Sequence, residues 1–109
     1  MSLRREEFGE EVGASDYIFQ LSNGTQRRVR LRVGKPYFVA GGEWACPVEM
    51  QGFEPRYPDI RGSDSMQALG LAMGLVRKRV QDFLEKGGTV RFVDGTECPP
   101  DALWAELGH

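Results

Sequence analysis

The sequence has few of the residues on which enzyme active sites depend. Its single histidine is the last residue of the chain, His109, and no P-loop, G-x-G-x-x-G or H-E-x-x-H pattern occurs. A nucleophile needs a base beside it, and a terminal histidine is a poor base. A carboxylate pair such as Asp59 with Asp64 leaves a small enzyme of unknown reaction as an alternative. We expect no catalytic residue.

Cysteine is also scarce, with only Cys46 and Cys98 in the chain. Two cysteines are too few for a disulfide framework, and they lack C-x-x-C spacing. Both precede proline, and a zinc site would need His109 and a carboxylate in addition. We expect reduced structural thiols, no metal and no cofactor.

Neither sign of charge is in large excess, with 14 Lys+Arg against 16 Asp+Glu and a net charge of −2. This balance disfavours nucleic acid as the general partner of the chain. Charges stand at residues 4–11, where a signal peptide would need an apolar run, and no uncharged stretch reaches the roughly 20 residues of a membrane span. We therefore expect a cytoplasmic protein with no membrane partner. With 40% hydrophobic residues, the 109 residues predict one domain, with residues 1–14 as an edge strand or an arm.

What the chain does contain is one long helical signal, over residues 65–86. Asp64 is a good N-cap for the backbone N–H of Gln67, and Gln67 stands where its amide can reach back in a capping box. A Gly-Gly pair after the last turn predicts the end of the helix. The residues at spacings of three and four that should face a core are Leu69, Ala72, Met73, Val76, Val80 and Phe83.

The opposite face of this helix carries no charge over residues 65–76. It contains Gly70, Leu71, Gly74 and Leu75, where a surface helix should be polar. Mid-helix glycine costs about 1 kcal/mol relative to alanine, so these glycines indicate close approach of another backbone. We expect this face to be covered either by the chain's own termini or by a second subunit in a homodimer.

Two strands precede the helix, at residues 16–22 and 28–33, and each has one apolar face. An Asn-Gly pair between them predicts a hairpin. A two-residue loop would turn the two apolar faces to opposite sides. A three-residue loop closed by Gly24 in the left-handed region keeps them together, with Tyr17 opposite Val29, and we expect this register.

A second hairpin is predicted for residues 37–40 and 43–51 around a Gly-Gly pair. We expect a two-residue loop, which places Val39 opposite Trp44. Pro47 would then point outward, so its strand is an edge or carries a bulge. The side chains expected in the core are Trp44, Cys46, Val48 and Met50.

After the helix, residues 89–93 predict a short strand and Asp94-Gly95 a turn. Pro99-Pro100 predicts the start of a short helix that contains Leu103, Trp104 and Leu107. Strands followed by one long helix indicate the α+β class. We expect an antiparallel meander of about four to five strands packed on one long α-helix, with a short C-terminal helix.

The best candidate binding feature is the row Arg28, Arg30 and Arg32. Alternate residues of a strand lie about 6.6 to 6.8 Å apart on one side, close to the spacing of nucleic-acid phosphates. The alternative is a surface neutralised by carboxylates, with Glu6, Glu7, Glu10 and Glu11 available. No RNA-binding aromatic run accompanies the arginines, so the neutralised surface or a protein contact is favoured.

A strand with Trp44-x-Cys46, followed by Gly62-x-Asp64-Ser65-x-Gln67-Ala68-Leu69 at a helix start, resembles a family of small uncharacterised bacterial proteins. The resemblance covers about residues 16–95 and implies a fold without a chemistry. We therefore expect a non-catalytic protein-interaction module with an unknown protein partner. By analogy, such modules include immunity and antitoxin proteins.

Overall fold

The computed structural model describes residues 7–107, and the side chains of residues 7–105. In this part of the chain two antiparallel sheets pack against one long helix, and a short helix follows. The elements in chain order are β1 Glu11–Gln20, β2 Gln26–Gly34, β3 Tyr37–Val39, β4 Glu43–Cys46, β5 Val48–Gln51, β6 Ile60–Gly62, α1 Ser65–Glu85, β7 Thr89–Arg91 and α2 Pro100–Leu107. The α+β class is confirmed.

The strands divide into a sheet of order β5-β2-β1-β7 and a smaller sheet of order β3-β4-β6. The described residues form more strands than the predicted four or five, because the strand predicted at residues 43–51 is divided at Pro47 into β4 and β5 and the residues before α1 form β6. The last strand, β7, returns from the end of the helix to lie beside β1. The first and last parts of the chain therefore meet in one sheet.

The first hairpin has the expected register. Tyr17 lies opposite Val29, and the Leu21 N–H donates to the Thr25 carbonyl at 2.8 Å. Gly24 has φ of +92°, which a residue with a side chain rarely adopts. The three-residue loop is confirmed, and Phe19 is buried with Tyr17 on the core face.

The prediction for the second hairpin is wrong by one residue. Phe38, not Val39, lies opposite Trp44, so the loop has three residues. Trp44 is consequently half-buried, with its ring edge-on to Phe38 at 5.7 Å, and Ala45 is buried in its place. The other three residues expected in the core, Cys46, Val48 and Met50, are fully buried.

Pro47 is buried rather than outward-facing, which is a second correction. It lies between β4 and β5, which belong to different sheets. Its carbonyl accepts from the Gly34 N–H at 2.8 Å, whereas a proline has no N–H to offer to either sheet. The missing donor thus coincides with the place where the chain leaves one sheet for the other.

Helix α1 begins and ends as predicted. Asp64 Oδ1 accepts from the Gln67 N–H at 2.7 Å, and the Gln67 side chain reaches back to the Ser63 N–H at 2.6 Å, one residue before the cap. At the other end the Gly88 N–H donates to the Phe83 carbonyl at 3.0 Å. Gly87 has φ of +91°, so the helix ends in a left-handed residue.

The buried face of α1 is rotated from the predicted one. Its fully covered residues are Ala68, Ala72, Val76 and Val80. Met73, predicted to be core, is 37% exposed, and Leu69 and Phe83 are only half-buried. The reason is a close contact with β6, where a Cβ on Gly62 would lie 2.4 Å from the Ala68 backbone nitrogen. Only small residues allow the helix to approach the strand this closely.

The second half of α1 is covered by α2, whose Leu103 is fully buried in the core. Trp104 is half-buried beside Gln81 and Leu84 of α1. The prediction for Leu107 falls on a side chain outside the described set. Within residues 7–107, no helix has the length and hydropathy needed to span a membrane.

Candidate functional site

The most unusual surface of the molecule is the first half of β1. β7 pairs only with Ile18, Phe19 and Gln20 of this strand. Among the described residues, no strand pairs with the outer side of residues 12–16, which we name the open edge. A β-bulge at residue 12 bounds it on one side, and β7 bounds it on the other. An unpaired strand edge is a template for pairing with another chain.

The hairpin fixes which backbone groups of the open edge point outward. The Leu21 N–H bonds to Thr25 on β2, and in an antiparallel pair the bonded residues alternate along the strand. Odd-numbered residues of β1 from Gly13 onward therefore face β2. The N–H and C=O groups of Ala14 and Asp16 face the open side.

A groove of about 430 Å³ lies directly beside the open edge. Its walls are mostly apolar and come from β1, β2 and the first half of α1. The residues that line it include Gly13, Ser15, Leu31, Leu69, Met73 and Val76. Because two of the sheet residues are small, space remains between the sheet and the helix. Val12, at the rim, is 51% exposed.

The four residues proposed from sequence as an interface do not share one surface. A Cβ on Gly70 would meet no atom within 4 Å, and one on Gly74 would meet only Arg77 Nη2 at 3.9 Å. Leu71 is 51% exposed, whereas Leu75 is half-buried against the core. Nothing in residues 7–107 covers Gly70, so the expected cover by the chain's own termini is not found there.

Helical spacing divides this surface into two flanks. Residues three and four apart share a flank, so Gly70 lies on the same flank as Met66 and Met73. Of these three residues, Met73 lines the groove. Leu71 and Leu75 lie on the other flank. Met66 is 78% exposed. The sequence indicated an uncharged helix face, but it did not indicate that one flank adjoins an unpaired strand.

The arginine row is largely neutralised by carboxylates. Arg30 bonds to Glu11 and to Asp16, both at 2.6 Å, and Arg32 bonds to Glu49 at 2.6 Å. The hydrogen bond that Arg30 donates to Glu11 lowers the pKa of Glu11. The same bond and the one that Arg30 donates to Asp16 raise the pKa of Arg30. These interactions support the neutralised surface.

Two of the neutralising carboxylates, Asp16 and Glu49, were not predicted. Asp16 lies opposite Arg30 in the register that the hairpin argument favoured, so the sequence held the signal for it. Glu49 lies opposite Arg32 on β5, and this pairing depends on sheet order. Of the four predicted glutamates, Glu11 joins the network and Glu6 lies outside the described residues. Arg28 is exposed and has no ion pair with a described residue.

Asp59, one of the two carboxylates considered for chemistry, lies close to the Cys46 thiol, and both residues are buried. Asp59, 4% exposed, accepts from the Tyr37 hydroxyl at 2.6 Å and lies 3.4 Å from Arg56. Burial and the Asp59 charge raise the pKa of the Cys46 thiol to about 12. This thiol stays protonated at neutral pH, which is the opposite of an activated nucleophile. Asp64, the other half of the carboxylate pair, is occupied as the α1 cap.

Residues 7–107 contain no group of three His, Cys, Asp or Glu side chains that could hold a metal ion. Cys46 and Cys98 are both buried free thiols. Phe8, from the segment before β1, lies under the Arg32 guanidinium at 3.8 Å from the ring centroid. The N-terminal segment thus packs onto the arginine surface.

Comparison with known proteins gives a family and no activity. No curated protein and no solved structure matches the chain. A family model described as a domain of unknown function, DUF6968, matches residues 16–97, in agreement with the resemblance noted over residues 16–95. The match runs from the middle of β1 to just before α2, so most of the open edge lies ahead of it. The chain belongs to the DUF6968 family of domains of unknown function.

Proposed function

We propose that this chain is a non-catalytic protein-interaction module whose partner binds at the open edge and in the adjoining groove. The observation that carries the proposal is the coincidence of two features in one place. Unpaired backbone groups of Ala14 and Asp16 lie beside an apolar groove bordered by exposed Met73. Strand addition uses main-chain hydrogen bonds for affinity and side-chain pockets for specificity, and this surface offers both.

The other two functions considered have less support. Cys46 is held as a neutral thiol, and Asp59 and Asp64 have structural partners, which leaves an enzyme without a candidate nucleophile or base. Two of the three arginines are paired with carboxylates, which leaves little charge for a phosphate backbone. An immunity or antitoxin role is one biological setting for an interaction module, and it rests on analogy.

Photo-crosslinking in the source organism tests the proposal. p-Benzoylphenylalanine in place of Met73 should give a cross-linked species, because Met73 borders the groove. The same group in place of Phe38, which is 61% exposed on the other sheet, is the matched control and should give none.

The cross-link at position 73 should also depend on the strand edge. Ala14→Pro removes an N–H that points away from β2, so it should abolish the cross-link while leaving the hairpin intact. Equal cross-linking at positions 73 and 38, or a cross-link that Ala14→Pro leaves unchanged, contradicts the proposed function.

A further inference from the structure

We infer that the partner at the open edge is a second copy of this chain. The inference rests on the proposed function and names its partner. In the dimer, the β1 strands of the two copies pair antiparallel across a two-fold axis, and their four-stranded sheets become one continuous sheet. The two α1 helices then lie on the same face of that sheet.

Antiparallel pairing makes a strand edge complementary to itself. The outward groups of the open edge belong to alternate residues, and in an antiparallel pair bonded residues must lie opposite bonded residues. Ala14 and Asp16 carry these groups, so each even-numbered residue must lie opposite an even-numbered residue of the other copy. The two residue numbers of every opposed pair therefore sum to an even number. One residue of the open edge therefore lies opposite its own copy, at the two-fold axis.

The bulge at residue 12 and the start of β7 at Ile18 limit which residue lies on the axis. Pairing must fit between them without displacing β7. This condition is met when Ala14 or Ser15 is the residue that lies opposite its own copy, and we call that residue the centre of the pairing. With either centre, Glu11 and Asp16 of the two copies do not lie opposite each other, which avoids a direct like-charge pair.

Charge also favours a second copy over a foreign strand. Residues 12–15 are uncharged, and the carboxylates on either side, Glu11 and Asp16, already bond to Arg30. The helix above them is uncharged over residues 65–76. Arg32 also lines the groove, but it is paired with Glu49 at 2.6 Å, so the groove presents no unpaired charge to a partner of opposite sign. A neutral surface of this kind matches its own copy.

The helix flank supplies the space that such a dimer needs. Met66 and Met73 are exposed on the flank that borders the groove, and Gly70 lies between them with no atom within 4 Å of its Cβ position. Each copy would place Val12 and Met73 against the groove of the other. Flexible methionines fill irregular gaps well, and the glycine permits close approach of the second helix.

Sedimentation of the purified chain tests the inference. The wild type should sediment at twice the 12.2 kDa mass of one chain. Ala14→Pro and Met73→Glu should each raise the dimer dissociation constant at least about tenfold, the former by removing an edge donor and the latter by placing charge in the contact. Phe38→Glu is the matched control, since it changes an equally apolar exposed residue on the other sheet and should leave the dimer intact.

Disulfide trapping fixes the register. Ala14→Cys or Ser15→Cys, whichever residue lies on the axis, should form an intermolecular disulfide under mild oxidation, because opposed Cα atoms lie about 4.5 to 5.5 Å apart. Val12→Cys should not, since its own copy would lie several residues away. The native thiols, Cys46 and Cys98, are buried and do not compete.

The outcomes separate this inference from the proposed function. A wild type that stays monomeric at every concentration overturns the second copy as partner, and the cross-link at position 73 then decides independently whether a foreign protein binds. A dimer that both Ala14→Pro and Met73→Glu leave intact, or that Phe38→Glu disrupts, also overturns it. If Ala14→Pro fails to fold, Met73→Glu and the disulfides still decide, because neither touches the β1–β2 hydrogen bonds.

Discussion

The two ends of the large sheet are finished in different ways. At the closed end, where β7 pairs with β1, Phe19 is 1% exposed and stacks on Phe83 at 4.6 Å. At the open end, the apolar side chains Val12, Met66 and Met73 stand in solvent beside an unpaired strand. Strand β1 thus runs from an end where the apolar side chains are buried to an end where apolar side chains are exposed.

The charges of α1 follow the same division. In its second half Arg79 bonds to Glu54 at 2.8 Å and to Asp82 at 2.9 Å, which is a solvated surface stabilised by ion pairs. Its first half has no charge to residue 76 and none of these bonds. A surface that faces water permanently is expected to be polar. The difference supports the proposal that the open end, unlike the closed end, contacts another protein surface.

The largest expected effect contrasts one apolar residue from each end. Phe19→Ala should lower the free energy of unfolding by roughly 3 to 5 kcal/mol, because it leaves a cavity between Phe53 and Phe83. Leu71→Ala, on the exposed half of α1, should change it by less than about 0.5 kcal/mol. Urea unfolding of both variants gives the two values. Equal losses would mean that the open end is packed as well as the closed end.

Glycine to alanine changes should have opposite effects on stability at two places, one on β6 beside the helix and one on the helix itself. Gly62→Ala places a Cβ 2.4 Å from the Ala68 nitrogen and should destabilise the protein by roughly 1 to 3 kcal/mol. Gly70→Ala meets open space and should stabilise the monomer by about 1 kcal/mol through helix propensity. Thermal melting at low protein concentration measures both. A loss of stability at Gly70 would show that the helix surface is already covered in the monomer.

Local signals in the sequence were sufficient for the elements whose geometry is local. The Asp64 cap, the Gly87 stop and the Gly24 loop each depend on residues within a few positions, and all three are confirmed. The first hairpin register also followed, because only one loop length keeps its apolar faces together. It placed Tyr17 opposite Val29 as observed.

The errors come from contacts that no short pattern contains. Pro47 is buried because it connects β4 and β5, which belong to different sheets. Met73 is exposed because Gly62 lets the helix approach β6 closely at Ala68. The second hairpin was predicted with a two-residue loop, but Phe38 lies opposite Trp44 and the loop has three residues. The open edge was not predictable for the same reason, since it depends on how far β7 extends along β1.

The helix cap at the open end should be worth less than the aromatic cluster. Asp64→Ala should cost about 1 kcal/mol, since the Gln67 N–H then loses its acceptor. Asp64→Asn keeps an oxygen in the same place and serves as the control, with little loss expected. Denaturant unfolding measures both. A loss well below 0.3 kcal/mol for the alanine variant would mean that water replaces the cap equally well.

A pH-dependent contribution to stability is expected at the closed end. Hydrogen bonding from Arg79 lowers the pKa of Glu54 below its ordinary 4.5. A carboxyl with a lowered pKa in the folded state stabilises the protein above the unfolded pKa, and this stability is lost as pH falls through the folded pKa. Glu54→Gln should therefore be less stable than wild type at pH 7, by under about 1 kcal/mol, and the gap should close below pH 4.5. A gap that does not change over this range would contradict the argument.

The smallest effects are expected on the arginine surface that flanks the open edge. Arg30 bonds to two carboxylates but is 38% exposed in its side chain, so Arg30→Gln should shift the midpoint of urea unfolding only slightly. Arg28→Gln removes an exposed side chain with no ion pair among the described residues and should cost nothing measurable in urea unfolding.

The same pair of variants tests the nucleic-acid alternative. One unneutralised arginine gives a salt slope of only about −0.9, too weak to hold DNA or RNA, so fluorescence anisotropy at low salt should detect no binding by the wild type. Binding that weakens steeply with salt and is lost in Arg28→Gln would show that these arginines contact phosphate, and the carboxylates around Arg30 would then have to give way when nucleic acid binds.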